Sequence, residues 1–390
     1  MGYLLDHVPH ILVVLGFIAY PGIYTVLTSI SEVFGIFMPS VDVMIAVLFF
    51  GLFAMSFDFI SGYTGYLSLG HAAFYGTGAY MVILIANGKI PLLASSTPFM
   101  LSLVIAGVVA AVLALIIGSV SFRLRGFYFA MITLGFSQVL YAFVRRWGYL
   151  VYGQGNPADG VRVAASQHSE GFEIGIPFFD FANLTFDNEM LAIGQLAGDP
   201  VDNFLTIQML DFSRAEVSYF LVGGVVLICY FVMQRIIHSP FGQVMVAIRE
   251  NEERAEAVGL NVYWYKMAAF AVSAFFAAVG GGLYAGYERS ASPENFFFME
   301  TADAILATVL GGLGTLAGPI FGETIRLFIE TILNNTAEKG IIPDIFAGHE
   351  ILLLGIFFIL IVLYVPGGIL GVIRSWAGGK ISKQFGNLFR

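Results

Sequence analysis

The amino-acid sequence predicts an all-α polytopic membrane protein with about eight to ten transmembrane segments, some of them broken by glycine-rich stretches. The chain is 58% hydrophobic and 12% charged, with a mean hydropathy of +0.84, whereas a soluble domain carries about 25% charged residues. Its apolar runs are continuous and do not alternate with polar residues, which favours helices over an outer-membrane barrel. At about 20 apolar residues per spanning helix, a chain of this length accommodates that number of spans.

The apolar segments define the predicted spans in chain order. They cover residues 8–30, 41–60, 66–86, 98–118, 124–146, 216–234, 264–286, 302–334 and 350–366. The sequence GGLGTLAGP interrupts 302–334, so we expect two short limbs there and not one span. The first segment has no basic start and no small-residue cleavage site, so we do not expect a cleavable signal.

Basic residues in short loops predict the orientation. They fall in three groups: Arg123 with Arg125, the stretch 235–266, and the C-terminal tail after 373. Counting spans places all three groups on one side if 302–334 enters and leaves by the same face. That side is therefore predicted to be the cytoplasm and to hold the C-terminus. Arg145 and Arg146 fall on the opposite side and oppose this assignment. Residues 1–147 then form an N-terminal membrane half, and residues 216–390 form a C-terminal membrane half.

The segment 148–215 between the two halves is predicted to be an acidic external loop. It holds nine acidic residues against Arg162 and Arg214. Long loops cross a membrane largely regardless of their charge, so this acidity does not fix the topology. Two interpretations remain open: a solvated insertion, or a docking surface for a periplasmic protein.

A first glycine-rich break is predicted within 61–80, SGYTGYLSLGHAAFYGTGAY. Glycine disfavours a plain helix by up to about 1 kcal/mol per position, while small residues let membrane helices approach closely. Thr64, Ser68 and His71 add polar groups at membrane depth, where such groups are functional by default. One interpretation is a packing face whose polar groups bond to neighbouring helices. The other is a translocation pathway lined by at least one of these three residues.

A second break is predicted at 311–322, GGLGTLAGPIFG, and contributes Thr315 as a further pathway candidate. Both breaks begin with Gly-x-x-Gly, at 62 and 65 and again at 311 and 314. Paired interruptions in the two halves of a transporter point to a site near the membrane midplane. The remaining spacing differs, so the similarity indicates two irregular segments more strongly than an internal repeat.

A charged island at 239–266, SPFGQVMVAIRENEERAEAVGLNVYWYK, separates two apolar segments and must lie in water. Pro240 suits the first turn of a helix, and Val244, Ala247 and Ile248 follow at helical spacing. Gly259 is expected to end the helix. Such an amphipathic helix fits a partner groove. Lying on lipid headgroups is the alternative, but helices of that kind are predominantly basic, and this one is mixed in charge.

The sequence contains no catalytic, ATP-binding or metal-binding motif. A lone cysteine, Cys229, cannot form an intramolecular disulfide. We therefore predict no enzyme activity, no cofactor and no ATP site. An ion-coupled secondary transporter would need an intramembrane carboxylate. The carboxylates Asp42, Asp58, Asp303 and Glu323 all lie near segment ends or beside a break. An intramembrane enzyme is a further alternative, disfavoured by the missing motifs.

Taken together, these stretches resemble the LivM family, the permeases of high-affinity branched-chain amino-acid ABC importers. The resemblance rests on residues 62–80, 123–139, 239–285, 310–322 and 355–371. Glu256-Ala257 followed by Gly259 is similar to the Glu-Ala-Ala…Gly loop by which importer permeases dock on an ATPase. The chain departs from the family pattern in three places: the long acidic loop, a partly altered YGQGNPADG segment, and a glycine at 367 where the family frequently has arginine.

The resemblance implies an importer in a bacterial inner membrane. Its partners would be a LivH-like permease, two cytoplasmic ATP-binding subunits and a periplasmic solute-binding protein, with membrane lipid around it and no nucleic acid. The charged island would be the coupling helix, with five ATPase-coupling candidates: Arg249, Glu253, Glu256, Ala257 and Gly259. The implied solute is a branched-chain or other neutral amino acid, with urea or short amides as the alternative.

Overall fold

A computed structural model describes residues 17, 19–28, 38–90, 97–124, 126–147, 157–162 and 214–338, together with a few isolated positions between 355 and 368. Residues 19–28 are helical. Ten helices follow in the described ranges: α1 Val41–Thr64, α2 Ala72–Ala86, α3 Phe99–Ser121, α4 Phe127–Arg146, α5 Arg214–Ile237, α6 Pro240–Glu250, α7 Glu252–Ala257, α8 Val262–Glu288, α9 Phe298–Gly311 and α10 Gly318–Glu338.

Five of these helices, α1, α3, α4, α5 and α8, are long and apolar enough to cross a membrane. Helix α2 is apolar but shorter. The predicted all-α polytopic class is therefore confirmed. The predicted segments 8–30 and 350–366 lie mostly outside the described residues, so the total of eight to ten spans stays a prediction.

Helices α1 and α8 form the centre of the bundle. Both are largely buried, whereas α3, α4 and α5 expose apolar residues along much of their length. Small residues let the central helices approach one another. A Cβ atom on Gly78 of α2 would collide with the backbone of Ala278 in α8, and one on Gly281 would collide with the backbone of Tyr75. Part of the glycine content thus serves close helix packing.

Helices α9 and α10 pack against each other as two limbs joined by the short segment 312–317, as the sequence predicts for 302–334. Their backbones are in close contact, because Cβ atoms on Gly311 and Gly322 would collide with the main chain of Gly318 and Ala307. Both limbs also pack on α1. The interruption therefore lies beside the central helix.

A small two-stranded sheet connects one end of α8 to the segment after α4. Strand β1, Val161–Arg162, pairs antiparallel with strand β2, Ser290–Ala291. Short 3-10 turns at Pro157–Asp159 and Pro293–Phe296 lie next to it. Most of the predicted acidic loop 148–215 lies outside the described residues, so both interpretations of that loop stay predictions.

Candidate coupling site at the helix breaks

The first break begins where α1 ends. Gly65 takes a left-handed conformation with φ of 79°, and its N–H donates to the carbonyl of Ser61 at 3.1 Å. This terminates the helix because a side-chain-bearing residue rarely adopts that φ. Residues 65–71 are not α-helical, and α2 begins at Ala72. Thr64 donates its hydroxyl to the carbonyl of Ile60 in its own helix.

Ser68 and His71 lie in this break and are fully enclosed by the chain. The His71 Nε2 atom lies 3.2 Å from the hydroxyl oxygens of both Ser56 and Ser273, and the ring stacks on Phe53. The Ser68 hydroxyl and His71 Nδ1 have no hydrogen-bond partner among the described residues. Because the single chain encloses both side chains, their role in a pathway stays a prediction.

The second break is joined to the first by Asp58 of α1. Gly314 has φ of 80°, and its N–H donates to Asp58 Oδ1 at 2.7 Å. A Cβ atom on Gly62 would collide with that same carboxylate oxygen. Thr315 stabilises the turn at the second break, because its hydroxyl donates to the carbonyl of Gly312 at 2.6 Å. The two Gly-x-x-Gly stretches thus meet across one carboxylate.

The charged island forms two helices, α6 and α7, where the sequence predicts one. The chain turns at Asn251, whose backbone is extended with φ of −162° and ψ of 104°. Its side-chain oxygen accepts the N–H of Arg254 at 2.8 Å, so this residue caps a new helix. Gly259, with φ of 88°, follows the end of α7. Its predicted role in ending the helix is confirmed.

The residues that α6 buries within the chain differ from the apolar ridge that the sequence predicts for a partner groove. Gly242, Met245 and Ile248 are buried, whereas Ala247 is exposed and Val244 only partly covered. A Cβ atom on Gly242 would collide with the backbone of Ile237 at the end of α5. This close approach sets the rotation of α6, and apolarity alone does not reveal it.

Arg249, at the end of α6, contacts both breaks. Its guanidinium Nη1 donates to the carbonyl of Gly62 at 2.5 Å. A Cβ atom on Gly65 would lie 3.1 Å from Arg249 Cγ, and one on Gly314 would lie 3.3 Å from Nη1. The side chain therefore packs against the second glycine of each Gly-x-x-Gly. Of the five predicted ATPase-coupling residues, Arg249 is the one that the structure places against the two glycine breaks.

A second contact joins the island to the first break through Glu252 and Lys266. The Lys266 ammonium lies 2.8 Å from Glu252 Oε1 and donates to the Tyr66 hydroxyl at 3.0 Å. Tyr66 in turn donates to Glu252 Oε2 at 2.5 Å. The Lys266 ammonium also lies 4.7 Å from the centre of the Tyr66 ring. Lys266 is 3% exposed and the Glu252 side chain is 17% exposed, so the buried ammonium group depends on its partners.

Sequence reasoning did not assign Glu252, Lys266, Tyr66 or Asp58 to the site. The sequence does offer a clue for Lys266. It lies immediately before the apolar run of α8, and a cation in that position needs a partner. The partner's identity depends on tertiary structure, since Tyr66 lies 200 residues away along the chain.

The outer side of the island carries the other predicted coupling residues. Glu253, Glu256, Ala257 and Gly259 are all exposed, and Val258 is 73% exposed. The inner side of the island thus hydrogen-bonds to the first break and packs against the second. Its outer side is exposed. Among the described residues, no group of three or more His, Cys, Asp or Glu side chains is arranged to hold a metal ion.

Comparison with known families assigns the chain to one of them. Residues 40–365 match the family described as "Branched-chain amino acid transport system / permease component". The chain belongs to this family. It is 27% identical over 338 residues to the high-affinity branched-chain amino acid transport system permease protein LivM of Escherichia coli, covering 86% of this chain and 71% of the relative.

More distant relatives share shorter regions. A probable LivM of Methanocaldococcus jannaschii is 26% identical over 40% of this chain and 47% of the relative. The galactose/methyl galactoside import permease MglC of Salmonella typhimurium is 38% identical over 25% of this chain and 29% of the relative. No solved structure matches. The chain is therefore a multi-pass LivM-family permease of the ABC-transporter type and not itself an enzyme.

Proposed function

We propose that the chain is one permease subunit of a binding-protein-dependent importer and moves branched-chain or other neutral amino acids with ATP hydrolysed by partner subunits. One observation carries the coupling part of this proposal. The island is exposed on its outer side, while its inner side is hydrogen-bonded to the first membrane break through Arg249 and Glu252 and packs against the second break through Arg249. The similarity to LivM supports the solute class.

In the proposed mechanism, the island passes movement of the ATP-binding subunits to the membrane-embedded segments. An ATP-binding subunit docks on the outer surface formed by Glu253, Glu256, Ala257, Val258 and Gly259. Movement of that subunit shifts α6 and α7, and a ligand-driven shift requires contacts that differ between the two states. Because Arg249, in the last turn of α6, contacts both glycine breaks, the shift reaches the membrane-embedded segments directly.

The proposed assembly contains a LivH-like permease, two ATP-binding subunits and a periplasmic solute-binding protein, in a bacterial inner membrane with the C-terminus in the cytoplasm. The chain has no ATP-binding motif, and the single chain fully encloses the pathway candidates Ser68 and His71. We therefore expect the chain alone, even with the ATP-binding subunits added, to move no solute in proteoliposomes. Robust uptake by this chain without a second permease would contradict the proposed assembly.

The decisive test changes the outer surface only. In the reconstituted importer, replacing Glu253 and Gly259 together (Glu253→Ala, Gly259→Ala) should abolish solute-stimulated ATP hydrolysis. The binding protein's affinity for its solute should not change. Glu294→Ala is the matched control, because Glu294 is also exposed but lies on the 3-10 turn before α9. Normal stimulation in the double variant would refute docking on this surface.

The solute is identified by a separate measurement. The binding protein that co-purifies with the assembled importer is denatured, and its released ligand is identified by mass spectrometry. A neutral amino acid is the expected result. Urea or a short amide would replace the proposed solute and leave the coupling mechanism intact.

A further inference from the structure

Helices α9 and α10 bring four carboxylates around one guanidinium. Arg326 donates to both carboxylate oxygens of Glu323, at 2.9 and 2.6 Å, and to Glu330 at 3.2 Å. Glu300 and Asp303 lie within electrostatic range of the same guanidinium. The cluster therefore carries an excess of negative charge when its members are ionised.

The cluster lies beside the middle of α1. Ile320, one turn before Glu323, packs against Gly51, where a Cβ atom would lie 3.2 Å from its Cγ1. Tyr75 stacks against Phe50 of α1 with ring centres 5.6 Å apart. Since α1 is an apolar helix that is long enough to span the membrane, the cluster is at membrane depth. Ionisable groups at that depth mark sites of function far more often than surface groups do.

Tyr75 supplies an independent sign of a ligand. Its side chain is completely buried, and its hydroxyl has no hydrogen-bond partner among the described residues. That hydroxyl lies within electrostatic range of Glu300 and Glu323. A buried hydroxyl without a partner is uncommon and calls for an explanation. The carboxylates of Glu300 and Asp303 likewise make no hydrogen bond or ion pair to any residue in the described ranges, and both residues remain partly accessible.

We propose that Glu300, Asp303 and Tyr75 form a binding site for a primary ammonium group. In the assembled importer this is the ammonium group of the solute, an assignment that rests on the proposed function. An ammonium group donates up to three hydrogen bonds and carries the compensating charge.

The position of the cluster favours the solute over a side chain of a partner subunit. Thr301, next to Glu300, accepts the N–H of Ala72 at 2.8 Å. Ala72 is the first residue of α2 after the glycine break. The ammonium site therefore adjoins the first break, which Arg249 contacts at its other end through Gly62. A site beside the moving segment suits a ligand that must be released in each cycle.

The test uses the complete importer in nanodiscs and n-butylammonium as the probe, with n-butanol as the uncharged comparison. Thermal unfolding should show stabilisation by n-butylammonium and none by n-butanol at equal concentration. Glu300→Gln should raise the concentration needed for half of that stabilisation by at least tenfold, and Tyr75→Phe, which removes only the hydroxyl, should raise it several-fold. Asp159→Asn, on the exposed 3-10 turn before β1, is the matched charge control and should behave as wild type.

Three outcomes would overturn this assignment. They are equal stabilisation by the two probes, an unchanged response in both site variants, or a carbodiimide cross-link from Glu300 to a lysine of the second permease. Uptake measured on the same preparation separates this inference from the proposed function. Solute uptake without n-butylammonium binding would refute the site alone. Binding without uptake would refute the proposed function and leave an ammonium site.

Discussion

The contact between Arg249 and the first break yields the sharpest prediction. In Arg249→Gln the side chain no longer reaches the carbonyl of Gly62 with a charged donor. A hydrogen bond from a charged group contributes about 1.5–3 kcal/mol. Because Arg249 is partly exposed to solvent, the lower end, about 1.5 kcal/mol, is the expected loss. Since about 1.4 kcal/mol corresponds to a tenfold change in an equilibrium constant, we expect roughly tenfold weaker linkage between α6 and the break.

The assay compares solute uptake with ATP hydrolysis in the same proteoliposomes. Arg249→Gln leaves the outer surface of the island intact, so the ATP-binding subunits should still dock and hydrolyse ATP. Solute moved per ATP hydrolysed should fall about tenfold. Arg235→Gln is the matched control, because Arg235 is an exposed arginine in the last turn of α5. An unchanged ratio of uptake to hydrolysis in Arg249→Gln would refute the idea that this contact transmits movement.

Three further changes test neighbouring contacts. Lys266→Met should destabilise the complex by about 3 kcal/mol in thermal unfolding, the lower end for a broken buried ion pair, because Glu252 loses its ammonium partner but is 17% exposed. Lys266→Met combined with Glu252→Gln should recover most of that loss, and an additive double variant would contradict the pairing. Gly78→Ala should prevent assembly, measured as complex recovered by size exclusion, whereas Gly135→Ala, where a Cβ meets open space, should not. Asp58→Asn should retain transport because its amide oxygen still accepts the N–H of the second break, whereas Asp58→Leu should lose it; equal activity of the two variants would exclude that bond.

The sequence predicts the positions of the membrane helices well because apolar length is a local property. Helices α1, α3, α4, α5 and α8 all overlap predicted segments closely. The interruption at 312–317 was also predictable, since glycines at 312 and 314 adopt φ of 117° and 80°, values that side-chain-bearing residues avoid. Both features follow from residues close together in the chain.

The break between α6 and α7 was not predictable by the same reasoning. Asn251 is compatible both with a helix interior and with an N-cap. The N-cap conformation is stabilised by the hydrogen bond that its side-chain oxygen accepts from the N–H of Arg254. The contacts that define the coupling site are also non-local. Arg249 meets Gly62 at a separation of 187 residues, so its charge is visible in the sequence but its partner is not.

The acidic cluster shows the same limit. The sequence alone shows Asp303 and Glu323 as carboxylates near segment ends or beside a break. Helical spacing within α10 already places Glu323 beside Arg326. The packing of α9 on α10 is needed to bring Asp303 to the same guanidinium, and the packing of α2 is needed to bring Tyr75 to the cluster. The ion pairs within α10 follow from helical spacing, whereas the contribution of α9 to the cluster depends on how the two helices pack.

The most direct test of the central claim is a cross-link between the island and an ATP-binding subunit. Val258→Cys places a thiol at a position that is 73% exposed on the outer surface, in a Cys229→Ser background that removes the only native cysteine. With a short bifunctional maleimide, this thiol should couple to a cysteine on the ATP-binding subunit and abolish uptake, and reducible cross-linkers should restore uptake on cleavage. The same linker at Val139→Cys on α4, 65% exposed on an apolar face, should give no such product. Cross-linking at position 139 and none at position 258 would contradict the assignment of the island as the docking surface.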